Sequence, residues 1–146
     1  MSDFRQLSTR VWASPQIDLA DVAAAATAGF ALVINNRPEG ESPDQTSGEE
    51  IEAAARAAGM AYCAIPITPG GFTRDQVDAM TQALAGAGGP VLAYCRSGTR
   101  STLLWSLAQA AAGEDPEAIA AAAQLAGYDI TPVRAIMETL AAEARG

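Results

Sequence analysis

The chain has 146 residues, 49% of them hydrophobic, and a formal net charge of -8. That bounds it to one ordinary domain, spanning residues 1–146, with a real core, and argues against nucleic acid or an anionic membrane surface as partners. Histidine is absent and all nine basic residues are arginine, so Cys-His and Ser-His-Asp pairs, histidine metal sites, lysine Schiff bases and a Walker-type lysine are excluded.

Val11-Trp12-Ala13 reads as a first or edge strand. Asp18 caps a helix from Leu19 to about Ala28, which Gly29 stops. Phe30 to Ile34 is almost continuously apolar, as a central parallel strand is. A polar loop runs from Asn35 to Thr46, and Ser47 with Glu50 forms the pattern of a capping box for a helix ending near Gly59. Ala61 to Ile65 is the next strand and Pro66 to Phe72 the next loop. Thr73 and Gln76 repeat the capping-box pattern for a helix to about Ala85.

Val91 to Tyr94 is a strand that runs straight into Cys95-Arg96-Ser97-Gly98-Thr99-Arg100. A helix is expected from Ser101 to Ala112, another from Pro116 capped by Asp115, and a last one opened by Thr131 and Pro132. The last helix would carry Val133, Ile136, Met137, Leu140 and Ala144 on one face. This alternation predicts an α/β fold, three layers deep (α/β/α), with a mainly parallel sheet of about four to five strands. Right-handed crossovers bring the loops after Ile34, Ile65 and Tyr94 to one edge, where open α/β sheets bind ligands. No run of eighteen apolar residues and no apolar leader at the N-terminus is present, so a cytoplasmic chain with reduced cysteines is expected.

The segment around Cys95 carries the chemistry. A strand delivers the thiol to the ligand edge, Gly98 permits a tight turn, and the following helix points its positive end at the loop. Such a nest binds anions and favours a thiolate over a thiol. Arg100 would close the ring with a planar cation, and Arg96 would point outward and attract anions. Ser97, Gly98, Thr99 and Ser101 complete the candidate anion-binding loop. Ser101 and Thr102 would give hydroxyls to the thiolate or anion, or cap the helix. Cys63, mid-strand, reads as a buried core residue, with a resolving role only if it faces the ligand edge. No cofactor and no metal are expected.

At these residues the chain resembles two families of cysteine enzyme. Cysteine-dependent phosphatases place five residues between Cys and Arg, whereas the rhodanese-type sulfurtransferase loop often reads Cys-Arg-Ser-Gly-x-Arg. Four residues lie between Cys95 and Arg100, and Ser101 holds the phosphatase position of the arginine. Over nearly its whole length the chain resembles the bacterial beta-lactamase hydrolase-like family, whose domain has a phosphatase-like fold. The matching stretches are Ser14 to Ile17, Val33 to Glu41 with Gln45, Ile65 to Ile67, Gly71 to Thr73, and the Cys95 loop. Members stand alone or fused to a metallo-hydrolase-like persulfide dioxygenase, which implies persulfide chemistry and a persulfide-oxidising partner enzyme. In the loop after the second apolar strand, Asn35, Arg37, Glu41, Asp44 and Gln45 would lie beside Cys95. Arg37 would bind an anionic substrate, and Glu41 would hold Arg37 or Arg100 by a bidentate pair.

The leading expectation is an enzyme that transfers sulfur. Cys95 takes the outer sulfur of thiosulfate or a persulfide and passes it to a thiol or cyanide, a reaction that needs little general acid. The alternative is a phosphatase that forms a Cys95 phosphocysteine and needs a protonated carboxyl for its leaving group. Its acid would come from Glu39, Glu41, Asp44 or Asp75, because Pro66 to Phe72 contains no carboxylate. A non-catalytic anion-binding or protein-binding module is the third reading.

Overall fold

The computed structural model describes residues 2–68 and 70–146. Its centre is a five-stranded sheet of order β1-β2-β5-β3-β4. The strands are β1 (Arg5–Gln6), β2 (Val11–Ser14), β3 (Leu32–Asn35), β4 (Ala61–Ala64) and β5 (Val91–Tyr94). All neighbours are parallel except β1, which pairs antiparallel with β2 at one edge. β2 is therefore an inner strand. β1 gave no sequence signal, because two residues carry no period.

Residue alternation divides the core into two layers. Leu32, Ile34, Val91 and Ala93 pack with Met80, Leu104, Leu107 and Met137 on one face. Val33, Leu92 and Tyr94 pack with Val22, Ala25, Ile51 and Ala55 on the other. The second face is covered by α1 (Leu19–Thr27) and α2 (Gly48–Ala57). The first is covered by α3 (Arg74–Gly86), α4 (Thr99–Ala111), α5 (Pro116–Leu125) and α6 (Arg134–Arg145). α4 lies against α3, α5 and α6, so it is buried nearly all round from Ser101 to Ala108. No described helix is long and apolar enough to cross a membrane.

The cap signals hold where they are local. Asp18, Thr73 and Asp115 each accept a backbone N–H in the first turn of their helices, and Thr73 with Gln76 closes a full capping box. Ser47 accepts from Glu50 N–H, but the reciprocal half of that box does not form. Two helix starts differ from expectation. α4 begins at Thr99, two residues before Ser101, because Gly98 in the left-handed region lets the helix begin sooner. Thr131 and Pro132 form a 3-10 turn, Thr131–Val133, and α6 follows without a side-chain cap. Thr131 instead donates both its N–H and its hydroxyl to Asp129. The buried face of α6 is Met137, Leu140 and Ala141, continuing from Val133, whereas Ile136 and Ala144 face solvent.

The register puts Ser14, Tyr94, Asn35 and Ala64 level across the four parallel strands. The segments that follow them form one edge, and Cys95 comes from the strand in the middle.

Candidate functional site

Cys95 is fully buried at the end of β5, where its N–H continues the ladder to the Ser14 carbonyl. The chain turns at once, and the Gly98 N–H donates to Cys95 Sγ at 3.1 Å. Gly98 has φ +93°, and a Cβ there would stand 2.1 Å from the Tyr128 hydroxyl, so no other residue fits. α4 starts at the next residue with no side-chain cap. Its Thr99 N–H donates to the Ser97 hydroxyl at 3.3 Å, and the remaining orphan N–H groups of the first turn, with the positive end of the helix, are left for a ligand or solvent. The expected strand, glycine turn and helix are therefore all present around the thiol.

Arg100 lies in the first turn of α4 and is held on two sides. Its Nη1 and Nη2 donate to Glu41 Oε2 and Oε1, both at 2.8 Å, and Nη1 also donates to the Ile67 carbonyl at 2.7 Å. This is the bidentate pair expected from the sequence, and it spans 59 residues of chain. Glu41 is shared: its Oε1 also accepts from Arg37 Nε at 2.9 Å. Hydrogen bonds from Arg100, and then from Arg37, push the Glu41 pKa down to about 2. The same contact raises the Arg100 pKa, burial opposes it, and the charge on Cys95 adds to it.

Arg37 does not play the expected part. Its side chain is 3% exposed, and its nitrogens reach Glu41, Gln16 Oε1 at 3.0 Å and Ser42 Oγ at 3.2 Å. With those donors turned inward it buttresses the loop and is not placed to meet a substrate. Asn35 Oδ1 accepts the Arg37 N–H, and its amide donates to Tyr62 Oη. Gln45 staples the loop by accepting from Glu41 N–H and donating to the Pro38 carbonyl. Asp44 is exposed and accepts from Ser42 Oγ at 2.7 Å, which lowers its pKa.

The hydroxyls expected at the thiol go elsewhere. Ser101 is buried and donates to Asn36 Oδ1 at 2.8 Å, and Thr102 donates to the Gly98 carbonyl. Both are occupied inside the fold because α4 starts early and turns them away from the loop mouth. Ser97 and Thr99 are exposed and hydrogen-bond each other. Arg96 is exposed, as expected, and its carbonyl accepts the Gln16 N–H.

The candidate acids are also accounted for. Glu39 caps α2 by accepting the Gly48 N–H on both oxygens, at 2.9 and 3.1 Å. Asp75 sits exposed in the first turn of α3. Glu41 and Asp44 are both held ionised. Pro69, in the loop from Pro66 to Phe72, lies outside the described residues. No described group of three or more Cys, Asp or Glu residues is arranged to hold a metal.

Cys63 stands mid-strand in β4, level with Ala93 across β3. Strand spacing puts it roughly 12 Å from Cys95, too far to resolve an intermediate without rearrangement. It is half-buried rather than core, because β4 is a sheet edge, and burial raises its pKa. Sequence reasoning assigned no site role to Gln16, Asn36, the Ile67 carbonyl or Tyr128. Gln16, Asn36 and Ile67 lie in stretches that carry the family resemblance, which is their only signal.

Residues 3–112 match the family described as beta-lactamase hydrolase-like protein, phosphatase-like domain. A beta-lactamase hydrolase-like protein of Agrobacterium fabrum is 37% identical over 108 residues, which cover 74% of this chain and 25% of that protein. A Xylella fastidiosa protein of the same description is 40% identical over 81 residues, 56% of this chain and 19% of the relative. The chain thus spans about a quarter or less of these curated relatives. Among solved structures, a candidate phosphatase from Neisseria meningitidis is 31% identical with a TM-score of 0.84, covering 96% of this chain and 99% of that one. TpbA of P. aeruginosa, solved with pTyr, has a TM-score of 0.68 at 16% identity over 99% of this chain and 91% of that one, a likeness of fold alone.

Proposed function

The chain belongs to the beta-lactamase hydrolase-like family through its phosphatase-like domain, and from that premise we propose that it is a cysteine-dependent phosphoester hydrolase with Cys95 as nucleophile. The observation that carries this reading is the clamped Arg100. A guanidinium tied to Glu41 and to the Ile67 carbonyl belongs to the first turn of the helix that follows the loop, and the Gly98 N–H of that loop donates to the Cys95 sulfur. An anionic phosphoryl group would be oriented by Arg100 and the uncapped start of α4, and attacked by the sulfur. The S–P bond would form as the P–O bond to the alcohol or phenol breaks, and water would then hydrolyse the phosphocysteine to inorganic phosphate and the free thiol. The full-length likeness to a candidate phosphatase supports phosphate over other anions.

The state of the carboxylates supports one substrate class. Glu41 is committed to two arginines, Glu39 to α2, and Asp44 to Ser42. Of the four candidate acids only Asp75, exposed in the first turn of α3, is uncommitted, and no hydrogen bond among the described residues ties it to the Cys95 loop. The substrate is therefore an ester with an acidic leaving group, such as an aryl phosphate.

A second reading is sulfur transfer, and two observations favour it. Only four residues separate Cys95 from Arg100, one fewer than in the phosphatase loop. The missing acid is also no handicap when sulfite or a thiolate leaves. Cys95 would then carry a persulfide from thiosulfate or a low-molecular-weight persulfide to a thiol or cyanide. The two reactions separate in one comparison: steady-state turnover of an aryl phosphate against thiosulfate with cyanide, on the same preparation. Turnover of the ester lost in Cys95→Ser supports the hydrolase. Thiocyanate formation without ester turnover replaces it with the transferase.

A further inference from the structure

Tyr128 comes from the connection between α5 and α6, 31 residues after Ser97 in the chain. It is buried, and its hydroxyl donates to the Ser97 carbonyl at 3.1 Å. The Ser97 carbonyl and the Gly98 N–H belong to one peptide unit. No cis peptide bond is present among the described residues, so the two groups point in opposite directions across a rigid plane. The N–H of that plane is the one that donates to Cys95 Sγ at 3.1 Å. A phenol pulling the carbonyl outward therefore aims the N–H inward at the sulfur.

Two further features make this a fitted arrangement. Gly98 is the point of closest approach, where a Cβ would overlap the Tyr128 hydroxyl and lie 2.8 Å from its ring. The outer face of the ring is covered by the Arg5 guanidinium, 5.2 Å from the ring centroid. The N-terminal strand and the α5–α6 connection thus meet behind the cysteine loop.

We propose that Tyr128 is a positioning residue for Cys95: through the Ser97–Gly98 peptide it holds the backbone donor that stabilises the sulfur in its reactive, anionic form. The inference rests on Cys95 being the nucleophile, and the group acts through the peptide without touching the reacting atoms. Tyr128→Phe keeps the ring, its packing and the cover from Arg5, and removes only the hydroxyl. Loss of one hydrogen bond of ordinary strength corresponds to about a fivefold effect.

The test is competitive alkylation of the intact chain by iodoacetamide at neutral pH, read by peptide mass spectrometry, with Cys63 as the internal reference. Thermal melting confirms that the variant is folded. Positioning predicts that Cys95 alkylates about fivefold more slowly in Tyr128→Phe while Cys63 is unchanged. A merely structural role predicts the reverse, because loosening the loop exposes a sulfur that is otherwise fully buried. A Cys95 rate in the variant equal to or above the parent overturns the proposal. Should Cys95→Ser keep the parent's turnover of an aryl phosphate, the nucleophile reading fails instead, and the two failures are told apart without the Tyr128 variant. Amide exchange at Gly98 gives a second readout: it should quicken in Tyr128→Phe while the Thr102 amide, which donates to the Gly98 carbonyl, holds its rate.

Discussion

Cys95 and Cys63 stand on either side of β3, at the end of β5 and in β4, and the fold treats them differently. Cys63 is the more exposed of the two, on the edge strand β4, yet desolvation is the one influence that shifts its ionisation, and it disfavours the thiolate. Cys95 is fully buried, yet it receives a backbone N–H, stands at the start of a helix and is faced by an arginine. Exposure alone would pick Cys63. What distinguishes Cys95 is topology: it ends the central strand, where turn, helix start and neighbouring loop converge.

Substitutions break that comparison in order of size. Cys95→Ser should abolish turnover of the aryl phosphate, by about four orders of magnitude or more, while Cys63→Ala stays within about twofold. A large loss in Cys63→Ala would make the edge cysteine a participant. Arg100→Ala should lower kcat/KM by about a hundredfold to a thousandfold, as loss of a charged oxyanion donor does. Steady-state kinetics measures both.

Glu41→Gln acts on Arg100 rather than on substrate, so a smaller loss of about tenfold is expected, together with about 2 kcal/mol of stability by denaturant titration. The acid dependence of stability sharpens this. Glu41 titrates at about 2 in the folded chain, below the ordinary carboxylate value of 4.5. Between those pH values the unfolded chain binds the additional proton, so the stabilisation is complete above about 4.5 and lost as pH falls towards 2. In Glu41→Gln that part of the acid sensitivity should vanish. An unchanged pH profile would mean that the Glu41 carboxylate is not held by its two arginines. The smallest effect is expected for Asp44→Asn, within about threefold, since Asp44 is exposed and hydrogen-bonded to Ser42. A hundredfold loss there would identify the proton donor that the loop otherwise lacks.

The parts that were legible in the sequence are those set by near neighbours. The parallel strands, the caps at Asp18, Thr73 and Asp115, and the cysteine loop all follow from residues within a few positions of one another. The Glu41–Arg100 pair was also legible, through the family resemblance and the placement of two loops on one edge. What escaped depends on distant chain. β1 is two residues long and exists through its pairing with β2. Arg37 looked like a substrate ligand because an arginine in a polar loop gives no sign that Gln16, 21 residues away, will take its donors. Tyr128 is 31 residues from Ser97, and nothing local connects them. Ser101 neither gives its hydroxyl to the thiol nor caps the helix, because the left-handed turn at Gly98 lets α4 start two residues early.

The central claim is that Cys95 becomes covalently charged with the group it transfers. Intact mass after rapid acid quench tests it directly, with parallel samples exposed to an aryl phosphate and to thiosulfate. A gain of about 80 Da is expected with the phosphate ester, mapped to Cys95 and absent from Cys95→Ser. A gain of about 32 Da from thiosulfate alone, removed by cyanide, keeps the nucleophile and replaces the hydrolase with the sulfurtransferase. No adduct with either donor, from a protein that still turns one of them over, would contradict the account.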